Sequence, residues 1–209
     1  MNILKNTIKK IIQEASFKHF VYKLPCKNTL FLTFDDGPNA AYTPQLLDIL
    51  RRYNAKATFF LVGKNVEKYP DITLNIKKDG HSIGLHTYSH KNIDKMNKDE
   101  FEKEILLNQQ AIANVIKETP VILRPPQGRL NSRNLLWAIL NNITIVHYTV
   151  TSNDWKSNCA DDILNLIRSI KIEGGEILSF HDSNIHTIEA IPQIFHDFSK
   201  KGVSFSSIF

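Results

Sequence analysis

The chain has 209 residues, of which 42% are hydrophobic and 22% charged, which fits one domain with a sizeable core and excludes wholesale disorder. Its 26 Lys and Arg against 21 Asp and Glu leave a formal charge of +5, a modest excess that suits an anionic surface such as a cell envelope. No Lys/Arg-rich run marks a nucleic-acid footprint, and Cys26 and Cys159, with no C-x-x-C spacing, read as free thiols.

Residues 1–20 scatter lysines among isoleucines at a helical period. They lack the unbroken apolar stretch and the small-residue cleavage site of a secretory signal. A short amphipathic helix is expected there, peripheral to the domain or to a membrane, within an N-terminal extension over 1–27. No stretch of the sequence is long and apolar enough to span a bilayer. The default expectation is a cytoplasmic monomer, with envelope association through residues 1–20 as the alternative.

From residue 28 the pattern turns regular. A strand over 29–34 is followed by a helix over 43–53, with Leu46, Leu47 and Leu50 on one face. A strand over 57–62, a helix over 72–78 and a short strand over 81–85 come next. A long helix over 98–117 buries a stripe of Phe101, Ile105, Ala111 and Ile112. Then come a strand over 121–123, a helix over 132–140, a strand over 143–148 and a helix over 160–170, opened by Asp161 and Asp162 at its positive end. A strand over 176–180, a helix over 185–198 and a strand over 203–205 complete the chain. About seven strands alternating with helices in one domain over 28–209 predict an α/β fold with a parallel sheet, doubly wound or closed into a barrel.

The ionisable residues fall at strand ends. Asp35 and Asp36 follow the first strand, His86 and His90 the third, Arg124 ends the fourth, Asp154 follows the fifth, and His181 with Asp182 ends the sixth. In a parallel barrel the loops after the carboxyl ends of the strands converge on one mouth, so such residues gather there. Taken alone, Asp35-Asp36-Gly37-Pro38 is explained as well by a turn beside proline as by paired carboxylates facing a cation. His86-Thr87-Tyr88-Ser89-His90 has the H-x-x-x-H spacing that, on one helical turn, aims two imidazoles at one metal. Alone it is more often two ordinary histidines; with the carboxylates it makes a two-His, one-carboxylate set that leaves open positions for water. Arg124 before Pro125-Pro126 can orient a carboxylate, or be a loop arginine. Asp154-Trp155 offers a carboxylate and an aromatic wall, or a helix start with a core tryptophan. His181, emerging from an apolar strand, is by default a satisfied core histidine.

Together these segments resemble the polysaccharide deacetylase family, the NodB-homology domain also called carbohydrate esterase family 4. The matching stretches are Thr33-Phe34-Asp35-Asp36-Gly37-Pro38, Gly80-His81 to His90, Arg124-Pro125-Pro126-x-Gly128, Asp154-Trp155 and His181-Asp182, in the family's order. The resemblance implies a distorted (β/α) barrel and metal-dependent hydrolysis of acetyl groups from an N-acetylated glycan, an N-acetylglucosamine-type polymer or oligomer. It implies Asp36, His86 and His90 as ligands of one divalent metal, Zn²⁺ before Co²⁺, Ni²⁺ or Fe²⁺. Asp35 is then the general base held by Arg124, and His181 the general acid oriented by Asp154. Tyr88, Pro126, Gln127, Gly128, Trp155 and Ser179 are the expected substrate contacts, with the Gln127 backbone N–H at the oxyanion. The sequence also departs from the family. Gln127 replaces an aromatic residue, Ser179 a leucine that lines the acetyl-methyl pocket, and Leu85 a frequent Asn, while Thr149 and Thr151 stand where many members carry acidic residues. These departures leave a catalytically weak glycan-binding module and an O-acetyl esterase as alternatives.

Overall fold

The structure, a computed structural model, describes residues 19–209. The amphipathic helix expected over residues 1–20 lies, except for its last two positions, outside the described residues. Nine short strands form one parallel sheet: β1 (Phe20–Val21), β2 (Thr29–Asp35), β3 (Thr58–Leu61), β4 (Ser82–Leu85), β5 (Ile122–Leu123), β6 (Thr144–Val146), β7 (Val150–Thr151), β8 (Ile177–His181) and β9 (Ser204–Ser206). The helices are α1 (Thr43–Arg52), α2 (Gly63–Lys68), α3 (Pro70–Lys78), α4 (Lys98–Ile116), α5 (Ser132–Leu140), α6 (Ala160–Ser169) and α7 (Ile185–Ser199). The spatial order is β1-β6-β5-β4-β3-β2-β8-β7, with β9 pairing β2. The two strands beyond the expected seven are β1 and β7, two residues each and too short to show a period. β1 comes from the segment predicted as an extension, yet it pairs with β6.

The sheet is curled and covered, so its central strands are buried on both faces. The period of two then sorts their side chains. On β2, Leu30, Leu32 and Phe34 face the cluster they share with the helices, where Leu46, Leu50, Phe101, Ile105 and Ile191 are buried. Phe31 points the other way, into a second cluster with Phe60, Ile122, Val146, Ile177 and Ile208. Further along that inner face come Thr33 and then Asp35. β8 repeats the ascent with Ile177, Ser179 and His181, which sit directly opposite Phe31, Thr33 and Asp35. The interior is therefore layered: an apolar floor, a hydroxyl-bearing middle and an ionisable top. β9 pairs the start of β2, on the side that β3 takes further along, and Ile208 closes the floor, its N–H bonded to Thr58 Oγ1 at 2.8 Å.

The helices follow from local signals. α4 opens with a capping box, Asn97 Oδ1 accepting from Glu100 N and Glu100 Oε2 from Asn97 N, each at 3.0 Å. α1 buries Leu46, Leu47, Ile49 and Leu50 on one face. Among the described residues no helix is long and apolar enough to cross a membrane. Cys26 and Cys159 are free and exposed.

Candidate metal centre and active site

Asp36 follows β2 with φ 76°, a left-handed backbone that swings its carboxylate across the top of the sheet. Asn65 Nδ2 donates to its carbonyl at 2.7 Å, and Val62 N to that of Gly37 at 2.9 Å. His86 lies just past β4. Its backbone N–H donates to Asn108 Oδ1 at 3.0 Å, and its ring Nδ1 donates to the Arg124 carbonyl at 2.7 Å. A carbonyl only accepts, so Nδ1 carries the proton and Nε2 a lone pair. That Nε2 stands 3.3 Å from Asp36 Oδ1, and His90 Nε2 stands 3.1 Å from the same oxygen. The ligand atoms of Asp36, His86 and His90 all lie within 4.8 Å of one another, and Asp36 Oδ1 is a buried oxygen without a hydrogen-bond partner. Two imidazoles and a carboxylate so converged, with one ring fixed through its far nitrogen, fit a divalent cation. Burial pushes the Asp36 carboxyl up, but His86 and His90 outweigh it and hold it far below the usual range.

The two histidines do not share a helical turn, and here the spacing argument is corrected. Residues 86–90 form a tight loop with Thr87 at φ 65° and His90 at φ 55°. The carbonyls of Thr87 and Tyr88 are taken by Gly63 N and Lys64 N, both at 3.0 Å, at the start of α2, so no helical ladder can form through them. His90 N bonds Thr87 Oγ1 at 3.1 Å, and Glu104 of α4 accepts from Ser89 N and Oγ. The rings still meet, 5.0 Å between centroids.

Asp35 is held on both oxygens. Arg124 Nη1 donates to Oδ1 at 2.8 Å and Ser179 Oγ to Oδ2 at 3.2 Å. Arg124 is 1% exposed, bonds Thr33 Oγ1 at 2.5 Å and the carbonyls of Val146 and His147, and lies 4.3 Å over the Phe60 ring. Burial lowers its pKa and Asp35 acts against this. His181 Nδ1 meets Asp154 Oδ1 at 2.7 Å, and its backbone N–H donates to Asp154 Oδ2 at 2.6 Å, where Thr187 Oγ1 also donates. Burial pushes the His181 imidazolium down, but Asp154, aided by the charges of Asp35 and Asp36, raises it to about 9, so the ring is protonated at neutral pH. Asp182, fully buried behind the Asp36-Gly37 turn, accepts from Thr43 Oγ1 at 2.5 Å. Burial pushes its carboxyl up to about 7.

These groups open into one cavity of about 540 Å³. Asp35, Asp36, His86, His90, Arg124 and His181 line it, with Gln127, Gly128, Trp155 and Ser179 of the expected substrate contacts. Tyr88 and Pro126 are not among its lining residues. The Tyr88 hydroxyl donates to Glu67 Oε2 at 2.9 Å beside α2. Pro126 is buried beneath the loop and Pro125 lines the cavity in its place. Asp154 is also behind the wall, bonded to two residues that line it, His181 and, through its backbone N–H, Trp155. A larger cavity of about 660 Å³ lies by Lys77, His81 and Phe209, at the amino ends of β4 and β5, away from these groups.

Residues 23–146 match the family model described as polysaccharide deacetylase. The chain belongs to the polysaccharide deacetylase family. It is 38% identical over 185 residues to a peptidoglycan-N-acetylglucosamine deacetylase of Bacillus cereus, covering 87% of this chain and 67% of that one. Among solved structures it resembles the Bc1960 peptidoglycan N-acetylglucosamine deacetylase in complex with 4-naphthalen-1-yl-N-oxidanyl-benzamide (TM-score 0.88, 35% identity, 92% of this chain and 94% of that one). It also resembles BA3943, a CE4 family pseudoenzyme from Bacillus anthracis (TM-score 0.85, 25% identity, 91% of this chain and 68% of that one). The distorted α/β barrel of this deacetylase is thus shared with both.

Several residues that shape the deacetylase site carried no obvious sequence signal. Tyr148 and Asn153 line the cavity, and Asn108 and Glu104 pin the His86–His90 loop from α4. Asn108 had one clue: it is the polar residue in the buried stripe of α4.

Proposed function

We propose that this polysaccharide deacetylase hydrolyses the acetamide of N-acetylated sugars in a glycan such as peptidoglycan, with one divalent metal, Zn²⁺ by its donor set, held by Asp36, His86 and His90. One observation carries this reading. The three-ligand cluster shares a mouth with a carboxylate fixed on both oxygens and an imidazole held protonated. The names of the relatives support the substrate class. A pseudoenzyme has the same fold, so these residues, rather than the fold, support turnover.

A cation bound there supplies Lewis acidity for a carbonyl oxygen and acidifies water. Asp35, oriented by Arg124 and Ser179, takes one proton from the attacking water as its oxygen bonds to the carbonyl carbon. The backbone N–H of Gln127, at the cavity rim, is the donor assigned to the developing oxyanion. His181 gives its Nε2 proton to the nitrogen as the C–N bond breaks, leaving acetate and a free amine. Asp154 keeps His181 in the donating state and fixes its ring. Trp155, 67% exposed at the mouth, offers a face for a sugar ring.

The test is acetate release from N-acetylglucosamine oligomers and peptidoglycan fragments, with added Zn²⁺ or Co²⁺, by the parent chain and by Asp35→Asn. The parent releases acetate, and the variant retains metal by elemental analysis while losing at least ~10²-fold in rate, the reach of general-base catalysis. No release by a metal-loaded parent sinks the hydrolase, and an active variant removes Asp35 from its role.

A further inference from the structure

The middle layer of the interior bears on the acyl group that the cavity accepts. Ser179 sits one step below His181 on the inner face of β8 and beside Asp35, to which its hydroxyl donates at 3.2 Å. It is 2% exposed. Thr151 of β7 is its register partner on the other side, and both line the cavity. On the proposed hydrolase reading, on which this inference rests, the carbonyl carbon sits near Asp35 and the leaving nitrogen near His181. A sugar within a polymer continues in both directions and stays at the mouth. The acyl substituent is then the part free to point down, towards Ser179 and Thr151.

That hydroxyl-bearing layer suits a methyl group poorly. No Leu, Ile, Val, Met or Phe side chain lines the cavity. A methyl group buried among hydroxyls gains little from the hydrophobic effect. A hydroxyl on the acyl α-carbon finds partners there. Ser179 spends its proton on Asp35 and keeps acceptor lone pairs, while Thr151 Oγ1 accepts from Asn153 N at 3.3 Å and has its own O–H to donate.

We propose that the cavity also hydrolyses N-hydroxyacetyl (glycolyl) groups on the same sugars, with Ser179 and Thr151 recognising the acyl hydroxyl. The chemistry balances as for acetyl. Water's oxygen joins the carbonyl carbon, one of its protons goes to Asp35, the C–N bond breaks, and the nitrogen takes a proton from His181. The products are hydroxyacetate and the free amine.

The experiment uses the full chain loaded with Zn²⁺ and glucosamine oligomers of one length, fully N-acetylated or fully N-hydroxyacetylated, with free amine as a common readout. Both substrates are cleaved, and kcat/KM for hydroxyacetyl over acetyl falls about tenfold in Ser179→Ala and in Thr151→Val, the scale of one neutral hydrogen bond. The ratio matters because Ser179→Ala also frees one oxygen of Asp35 and slows both reactions. Thr151→Val leaves that contact in place. Cleavage of acetyl alone, or a ratio unchanged in both variants, overturns the inference and leaves the hydrolase standing. Release from neither substrate removes the hydrolase reading and the inference with it.

Discussion

Asp154 grips His181 twice, one oxygen on the ring Nδ1 and the other on the backbone N–H, with Thr187 sharing the second oxygen. The ring can neither swivel nor lose its proton easily. Because the folded value of His181, about 9, lies above the ordinary 6.5, the pair's contribution to stability is complete below about pH 6.5 and is lost as pH rises through about 9. Burial raises the Asp154 carboxyl, but His181 and Thr187 outweigh it and hold it below 3.8, so the contribution is also lost as pH falls through that depressed value. With His181 as the proposed acid, the same carboxylate sets its working range. In Asp154→Asn the alkaline limb of kcat/KM moves from near 9 towards 6.5 or below, with metal content unchanged; a limb that stays put would show that His181 is not the acid. At this scale the strand-end placement of Asp35, Arg124 and His181 was legible, because ionisable groups after apolar strands stand out. Thr33, which joins Arg124 to the Leu178 carbonyl, was not, because a threonine in a β-rich run looks like ordinary strand sequence.

The turn from Asp36 to Pro38 is an element built by what lies behind it. The Asp182 carboxylate packs against the α-carbon of Gly37, so that a β-carbon there would overlap it. Thr43 holds that carboxylate and also accepts from Asn39 N at 2.7 Å, tying the start of α1 to the same turn. Gly37→Ala is therefore expected to cost about 1–3 kcal/mol by overpacking, read as a lower denaturant midpoint, and to weaken metal binding in titrations. A variant as stable as the parent would mean that the turn tolerates displacement. The same scale explains what the pattern missed. Helices α1 and α3–α7 were readable from apolar patterns and strong openings such as Asn97–Glu100. α2 has six residues and buries only Gly63 and Val66, too little for a period. The His86–His90 loop was misassigned to a helical turn because spacing says which residues are near each other, not which backbone brings them together.

In the whole molecule the proposed metal ligands come from the ends of β2 and β4, strands separated by β3 in the sheet. An unfolded chain does not hold Asp36 beside His86 and His90, so a cation binds the native state in preference. Zn²⁺ at 100 times its dissociation constant adds about 2.7 kcal/mol, seen as a rise in Tm that a chelator reverses and that His90→Ala largely abolishes. A Tm indifferent to Zn²⁺ would mean that the folded chain does not bind it preferentially, and a rise that survives His90→Ala would place the cation elsewhere. β2 carries the proposed base and leads to the first proposed ligand, and its partners are spread across the sequence. Thr33 bonds Leu178, 145 positions away, and Thr29 meets Ser204, 175 positions away. This strand is buried on both faces, with β8 along one edge and β3 and β9 along the other. The strand that carries the proposed base therefore forms only when distant segments of the chain come together. Contacts of such sequence separation slow folding, and a half-built sheet leaves this strand's edges open to pairing with other chains.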